Sequence, residues 1–437
     1  MAGNTMDAVF RESLKAIKPE EQEFTEADET IKHINSLLRQ KGIKAECMAG
    51  GSYAKGTILK DDFDIDLFVR FDYSYKDKGI SEMLGKALEP LHPELVHGSR
   101  DYFQVRKDYQ MKKIKGKAKS SGKGSLQDSL LFEIIPVLMI DDYKQAVNVT
   151  DMSPLHVSYA KKKFAEKPGL ADEIRLAKQF CKSIGVYGAE SYIRGFSGHV
   201  LDLLVIYYGS FEALLLQAAV WGSRVIIDLE NHLAEPLKQL NKAKTESPLI
   251  IVDPVQPDRN AAASISKEKF ELFKSKAKEF LESPSINFFK IKKLSIGELK
   301  KKAGKEILLL LKVKPLEGNK DIVGTKVMKA FEHIEKQLKK HEFKVLEAGW
   351  EFGVEQSIIY YILKKEKMKS TVVMIGPPAR EKKDAKRFKA KHPRVFEDNG
   401  RLYAEEKRQY MTPEELVKDL IRDNYVKERV RQVSICK

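Results

Sequence analysis

The stretch that most constrains this chain is Gly51-Ser52, an eleven-residue spacer, and then Asp64-Ile65-Asp66-Leu67-Phe68-Val69. In a strand, successive side chains point to opposite faces, so Asp64 and Asp66 project together while Phe63, Ile65, Leu67 and Val69 are left for a core. Two carboxylates forced side by side repel, and their hard oxygen atoms suit a divalent cation such as Mg²⁺. The spacer carries a matching chemistry. Gly51 lets the backbone approach a bulky anion, Ser52 offers a hydroxyl and an N–H, and Tyr53 to Leu59 is expected to form one short helix with its N-terminus toward phosphates. Lys55 adds a cation.

A second strand bears on the same chemistry. Ser129-Leu130-Leu131-Phe132-Glu133-Ile134-Ile135-Pro136-Val137 is apolar except for one acid near its middle. A buried charge is costly unless it is paired or bound to metal, which makes Glu133 the candidate third carboxylate. The net charge of +15 and pI of about 9.3 favour a polyanionic partner such as nucleic acid or nucleotide. Seven lysines against one acid between Lys107 and Lys123 form a basic segment that either touches RNA phosphates or is simply solvated. Cys47, Cys181 and Cys436 lack metal-ligand spacing, so neither a disulfide framework nor a zinc site is expected, and a cytoplasmic location fits. No signal peptide is expected at Met1 to Arg11. The longest apolar region, Val200 to Trp221, is interrupted by Asp202, Gly209-Ser210 and Glu212, so no membrane anchor is expected.

The Gly-Ser turn followed by a hydrophobic Asp-x-Asp resembles the nucleotidyltransferase superfamily of DNA polymerase beta, poly(A) polymerases and CCA-adding enzymes. Ser52-Tyr53-Ala54-Lys55, Thr57 and Leu59-Lys60 narrow the resemblance to the archaeal, class I tRNA CCA-adding enzymes. That family usually has Asp where Glu133 stands, before a hydrophobic pair and a proline; Glu reaches one methylene further. Two more stretches are similar to its central domain. One runs from Ile174-Arg175-Leu176-Ala177-Lys178 through Tyr187-Gly188-Ala189-Glu190 to Arg194-Gly195-Phe196-Ser197-Gly198; the other is Asp253-Pro254 followed by Arg259-Asn260-Ala261-Ala262. The resemblance implies that His156, Lys178 and Tyr187 grip the triphosphate beside Ser52 and Lys55, and that Arg259 reads the incoming base. The residue types agree in kind: Lys supplies a point charge, a phenol and an imidazole supply directional donors, and Arg supplies a planar fork.

The expected architecture is α+β and multidomain. A polymerase-beta-like nucleotidyltransferase head spans residues 1–152, a mainly helical central domain 153–283, and an α+β, ferredoxin-like RNA-binding region 284–437. In that last region strands are expected at Glu306–Lys312, Phe343–Leu346, Ser357–Leu363 and Thr371–Ile375, with a helix over Lys326–Lys340 and a hairpin turning at Asn399-Gly400. Arg380 to Arg394 holds eight Lys or Arg against two acids. The function that the resemblance implies is template-independent addition of C, C and A to tRNA 3′ ends from CTP and ATP by two-metal nucleotidyl transfer, with Asp64 and Asp66 holding two Mg²⁺ ions, Glu133 helping to hold the one that activates the tRNA 3′-hydroxyl, and pyrophosphate leaving. A homodimer is one assembly it admits. Two other readings are a poly(A)- or poly(U)-type RNA nucleotidyltransferase, distinguished by which nucleotides are added, and a non-catalytic RNA-binding protein with a degenerate head. Three intact carboxylates plus Ser52 argue against the last, because a dead head has no reason to keep buried charge.

Overall fold

The structure, a computed structural model, describes residues 2–19, 25–60, 62, 64–108, 129–292 and 294–436. Phe63 and the lysine-rich segment from 109 to 123 lie outside the described residues. The chain divides into two compact units, Met1–Lys292 and Lys293–Lys437.

The first unit begins with α1 (Ala2–Ile17) and α2 (Thr25–Gln40), followed by β1 (Ala45–Ala49), the single turn α3 (Gly51–Ala54) and β2 (Asp64–Phe71). After them come α4 (Ile80–Leu88), β3 (Glu94–Val96), β4 (Tyr102–Asp108) and β5 (Ser129–Leu138). The apolar stripe of α2 places Ile34, Leu37 and Leu38 in the core. This helix stops where Gly42, at φ +64°, lets the Ile43 N–H turn back to the Leu38 carbonyl at 3.0 Å. The five strands form one mixed sheet in the order β1-β2-β5-β4-β3, with β2 and β5 parallel and the other pairs antiparallel. Along β2 the alternation is as the sequence predicts: Ile65, Leu67, Val69 and Phe71 are buried in the core with Phe132 and Ile134 of β5.

The segment after Ala54 departs from the expected helix over Tyr53–Leu59. The turn ends at Lys55, Gly56 takes a left-handed φ of +65°, and residues 57–59 continue as irregular chain with Thr57, Ile58 and Leu59 buried. Glycine in a left-handed conformation ends a helix readily.

The rest of this unit is mostly helical: α5 (Ser153–Glu166), α6 (Leu170–Ser183), α7 (Gly198–Tyr208), α8 (Phe211–Ala218), β6 (Val225–Asp228), α9 (Pro236–Gln239), β7 (Leu249–Val252) and α10 (Lys267–Glu282). Its core is rich in aromatic rings. Phe10 of α1 stacks on Phe280 of α10 at 5.7 Å and meets Phe289 edge-on at 6.1 Å, so the chain up to at least Phe289 packs into this unit. Among the described residues no single helix is long and apolar enough to cross a membrane. The bent pair α7 and α8, turned by 92°, has the composition for it, and its apolar residues Leu201, Leu203, Leu204, Phe211, Leu214 and Leu215 fill this core.

The second unit contains α11 (Ile296–Ala303), β8 (Ile307–Lys314), α12 (Lys320–Lys340), β9 (Val345–Glu351) and β10 (Ser357–Leu363). It continues with β11 (Thr371–Pro378), α13 (Lys382–Lys391), β12 (Val395–Asp398), β13 (Arg401–Lys407), α14 (Pro413–Leu420), α15 (Asn424–Lys427) and β14 (Gln432–Cys436). One antiparallel sheet has the order β14-β8-β10-β9, and a second has the order β11-β13-β12. The strand at Thr371–Ile375 therefore does not join the sheet of β8, β9 and β10. Its partner is β13, some thirty residues later (Thr371 opposite Lys407), and the place beside β8 is taken by β14. The hairpin of β12 and β13 turns at Asn399 and Gly400 with φ of +46° and +74°, the two left-handed residues of a tight hairpin turn.

Candidate active site

Parallel pairing of β2 with β5 sets Asp66 directly opposite Glu133. Adjacent strands lie about 4.8 Å apart and the side-chain period is two, so Asp64, Asp66 and Glu133 share one face at one end of the sheet. Asp64 is exposed; Asp66 and Glu133 are half-buried. The Gln104 amide of β4 donates to Glu133 Oε1 at 2.8 Å, which fixes the orientation of that carboxylate. Burial, with Glu133 and Asp64 nearby and only partial relief from Lys55 and Lys178, pushes the Asp66 carboxyl up to about 6. Tyr102 of β4 senses the same field, its phenol raised to about 12 by burial and by the three carboxylates.

Gly51 packs against this group. The Gly50 N–H donates to the Asp66 carbonyl at 2.8 Å, and a Cβ at position 51 would lie 1.7 Å from Asp66 Oδ2. With φ at +48° as well, the turn tolerates only glycine there. Ser52 follows in the same turn, and Lys55 at its end makes an ion pair with Asp202 of α7.

The chain from Thr57 to Asp62 is held by α6. Arg175 Nε donates to the Ile58 carbonyl at 3.0 Å, Lys178 Nζ to the Thr57 carbonyl and hydroxyl at 3.1 and 2.9 Å, and Lys182 pairs with Asp62. These residues recur at three- and four-residue intervals and form one basic stripe. Burial holds the Lys178 ammonium down to about 8, with Asp202 opposing. Its two bonds to Thr57 use two of its three N–H donors. Tyr187 lies alongside: a Cβ on Gly198 would come 3.2 Å from the Tyr187 hydroxyl and 3.5 Å from Lys178 Cε. Burial, Asp62 and Asp202 push that phenol well above its ordinary value, so it stays a neutral donor.

A second cluster forms where α5, α7 and the turn after β7 meet. His156 Nε2 is 3.0 Å from both oxygens of Asp253, His199 Nε2 is 3.2 Å from Oδ2, and Arg259 Nη1 is 3.4 Å from the same atom. Burial alone would raise the Asp253 carboxyl, but the bonds from His156 and His199 outweigh it and hold it far below the carboxylate range. His199 is lowered by burial and by the adjacent His156, against Asp253. The first turn of α7 joins the two clusters, with Asp202 facing Lys55 and His199 facing Asp253.

Sequence reading missed Gln104, His199, Asp202 and Asp253. For Asp202 a signal exists: a lone acid in the apolar run Gly198–Tyr208 poses the same question as Glu133. His199 and Gln104 meet their partners only through tertiary packing, and Asp253, whose Asp-Pro motif is legible, meets His156 and His199 the same way.

Comparison with known proteins bears directly on this site. Residues 31–122 match the nucleotidyltransferase domain, 172–290 the second domain of tRNA nucleotidyltransferase, and 304–432 the C-terminal domain of CCA-adding enzymes. The CCA-adding enzyme of Methanocaldococcus jannaschii is 30% identical over 427 residues, 96% of this chain and 92% of that one. That of Nanoarchaeum equitans is 32% identical over 400 residues, 90% of this chain and 92% of that one. Among solved structures, the Cid1 poly(U) polymerase superposes with a TM-score of 0.50 at 14% identity, over 65% of this chain and 98% of that one, a likeness of fold alone. With its nucleotidyltransferase head, its second and C-terminal domains in family order and this identity along nearly its whole length, the chain belongs to the archaeal CCA-adding enzymes, and tRNA CCA addition is its activity.

Proposed function

We propose that Asp64, Asp66 and Glu133 hold the two divalent cations through which C, C and A are added, from CTP and ATP, to tRNA in the cytoplasm, with release of pyrophosphate. The observation that carries this is the register of Asp66 opposite Glu133, with Gly51 closing over Asp66. The donor set fits Mg²⁺: all-oxygen, with Asp66 raised to about 6 by burial and by the neighbouring carboxylates, a crowding of charge that a divalent cation would relieve. Divalent cations held by these three carboxylates would supply charge stabilisation at the α-phosphate and lower the pKa of the tRNA 3′-hydroxyl.

The remaining residues bind and orient. Ser52 and the backbone of its turn face the phosphates, and Lys55 exchanges Asp202 for the triphosphate. Lys178 contributes its remaining N–H, Tyr187 its hydroxyl and His156 the Nδ1 left over from Asp253. All come from one chain, so a homodimer leaves the site intact. The first 152 residues act as the catalytic head, the stretch to about residue 283 as the nucleotide-binding part, and the remainder as an RNA-binding region. Its strand order β14-β8-β10-β9, with helices between β8 and β9 and before β14, supports a ferredoxin-like reading interrupted by the three-stranded sheet.

Arg259 reads the base. One edge of its guanidinium faces Asp253 while the side chain remains 42% exposed, leaving a planar set of donors for the unprotonated ring nitrogen that cytosine and adenine share on their pairing edges, where uracil and guanine carry an N–H. Arg259→Ala is expected to raise UTP and GTP incorporation relative to CTP and ATP by about tenfold or more, on the order of a lost directional hydrogen bond pair. Competition assays with all four nucleotides, sequencing the added residues, test this. Unchanged ratios contradict it, and homopolymeric tails would favour a poly(A)- or poly(U)-type activity instead.

A further inference from the structure

We infer that Asp253 is a positioning residue for base selection: a buried carboxylate that holds Arg259 and His156 in place before a nucleotide arrives. The inference rests on the base-reading role given above to Arg259. Asp253 is fully buried just after β7, and its two oxygens share His156, which lies 3.0 Å from each, but otherwise face different partners. Oδ1 accepts the Val255 and Gln256 N–H groups at 2.9 and 3.1 Å, shaping the turn that leads to Arg259. The Asp253 N–H donates to the Arg259 carbonyl at 3.0 Å, closing that turn. Oδ2 faces the side chains: His156 at 3.0 Å, His199 at 3.2 Å and Arg259 at 3.4 Å. The carboxylate thus sets the turn at Val255 and Gln256, one end of the Arg259 guanidinium and the ring of His156, while the Asp253 N–H holds the Arg259 backbone. An unanchored arginine samples many rotamers, and fixing the fork in the free enzyme removes that ordering cost from binding.

Ligand atoms of His156, His199 and Asp253, one from each, lie within 4.8 Å of one another, a spacing that suits a metal ion. The Arg259 cation, 3.4 Å from Oδ2, competes for that place, and the Asp253 oxygens already accept N–H donors. The geometry therefore favours positioning over metal ligation.

Asp253→Asn separates the two duties, because the amide oxygen can still accept from the turn while an NH₂ replaces the oxygen facing Arg259. The expected result is a rise of about tenfold in UTP and GTP incorporation relative to CTP and ATP and a raised KM for CTP, with the tRNA KM changed less than threefold. The Asp253→Asn/Arg259→Ala double variant should be no less selective than Arg259→Ala alone. Native selectivity in Asp253→Asn beside lost selectivity in Arg259→Ala overturns this inference and spares the reading of Arg259. Native selectivity in Arg259→Ala overturns both. One equivalent of zinc in the purified wild type that is lost in Asp253→Asn makes the cluster a metal centre and overturns the positioning role. Should Asp253→Asn fail to fold, ¹⁵N NMR of the nucleotide-free wild type decides: rotation about the Arg259 guanidinium bonds slower than in exposed Arg380 supports the anchor, and equal rates overturn it.

Discussion

Asp66→Asn is expected to lower CCA addition by about 10³-fold or more, roughly 4 kcal/mol of transition-state stabilisation, while tRNA affinity stays within about threefold. The side chain keeps its shape against Gly51 but loses the charge that a cation needs. The same substitution should not destabilise the fold. The folded-state pKa of Asp66 is raised from 3.8 to about 6, so its ionised form opposes folding above pH 6, and this opposition disappears as pH falls below 3.8. In divalent-free buffer at pH 7 to 8 the variant should therefore melt at or above the wild-type temperature, with the difference vanishing in acid. Mg²⁺ should raise the wild-type Tm and leave the variant's nearly unchanged. Lost tRNA binding, or a variant that melts lower while remaining active, contradicts the assignment. Protons and cation compete for Asp66, so wild-type activity should fall below about pH 6 at low Mg²⁺ and recover as Mg²⁺ is raised.

The second large effect concerns salt. The second unit carries α13, whose Lys382, Lys383, Lys386 and Arg387 are all exposed while Ala385 is buried and Phe388 packs inward beside Gly376. Arg387 has Asp384 only at 4.0 Å, a solvent-screened pair. A helix so charged earns no stability from its outer face, which is free for phosphates. If this unit makes six to ten phosphate contacts, tRNA affinity should fall roughly 10³- to 10⁵-fold between 50 and 200 mM salt. Recognition should be largely blind to sequence, because A-form helices present shape, phosphates and 2′-hydroxyls. Replacing those four residues together by Ala should raise the tRNA KM and flatten the salt slope while nucleotide affinity is unchanged. An unaltered salt slope would mean that α13 is only a solvated face.

What the sequence discloses about this site is what strand periodicity and local chemistry can carry. The alternation from Asp64 to Phe71 and the single acid in an apolar run at Glu133 are local patterns, and the sheet places Asp66 opposite Glu133. The Gly-Ser turn was legible too, but the expected helix after it was not, because its length is decided by Gly56 at φ +65° and by the hold of Arg175, Lys178 and Lys182 from α6. None of those contacts is local. The same holds for Thr371–Pro378, whose β propensity is plain but whose partner β13 follows only after α13 and β12. Asp253 and His199 acquire their roles from a meeting of three elements distant in sequence. Lys178 shows the intermediate case: the resemblance implies a phosphate ligand, while the fold places its ammonium on Thr57.

The most direct test of the metal-site account is metal-specificity exchange at Asp64, which is exposed and so can be changed without disturbing packing. Asp64→Cys places a soft thiolate where a hard oxygen stood, and thiolate disfavours Mg²⁺ but accepts Mn²⁺ or Cd²⁺. With tRNA lacking CCA, and CTP and ATP present, the variant should be inactive in Mg²⁺ and regain at least tenfold in Mn²⁺ or Cd²⁺, with wild type as the control for the native cysteines. Full activity of Asp64→Cys in Mg²⁺, or no rescue by either ion while nucleotide and tRNA still bind, would contradict the account.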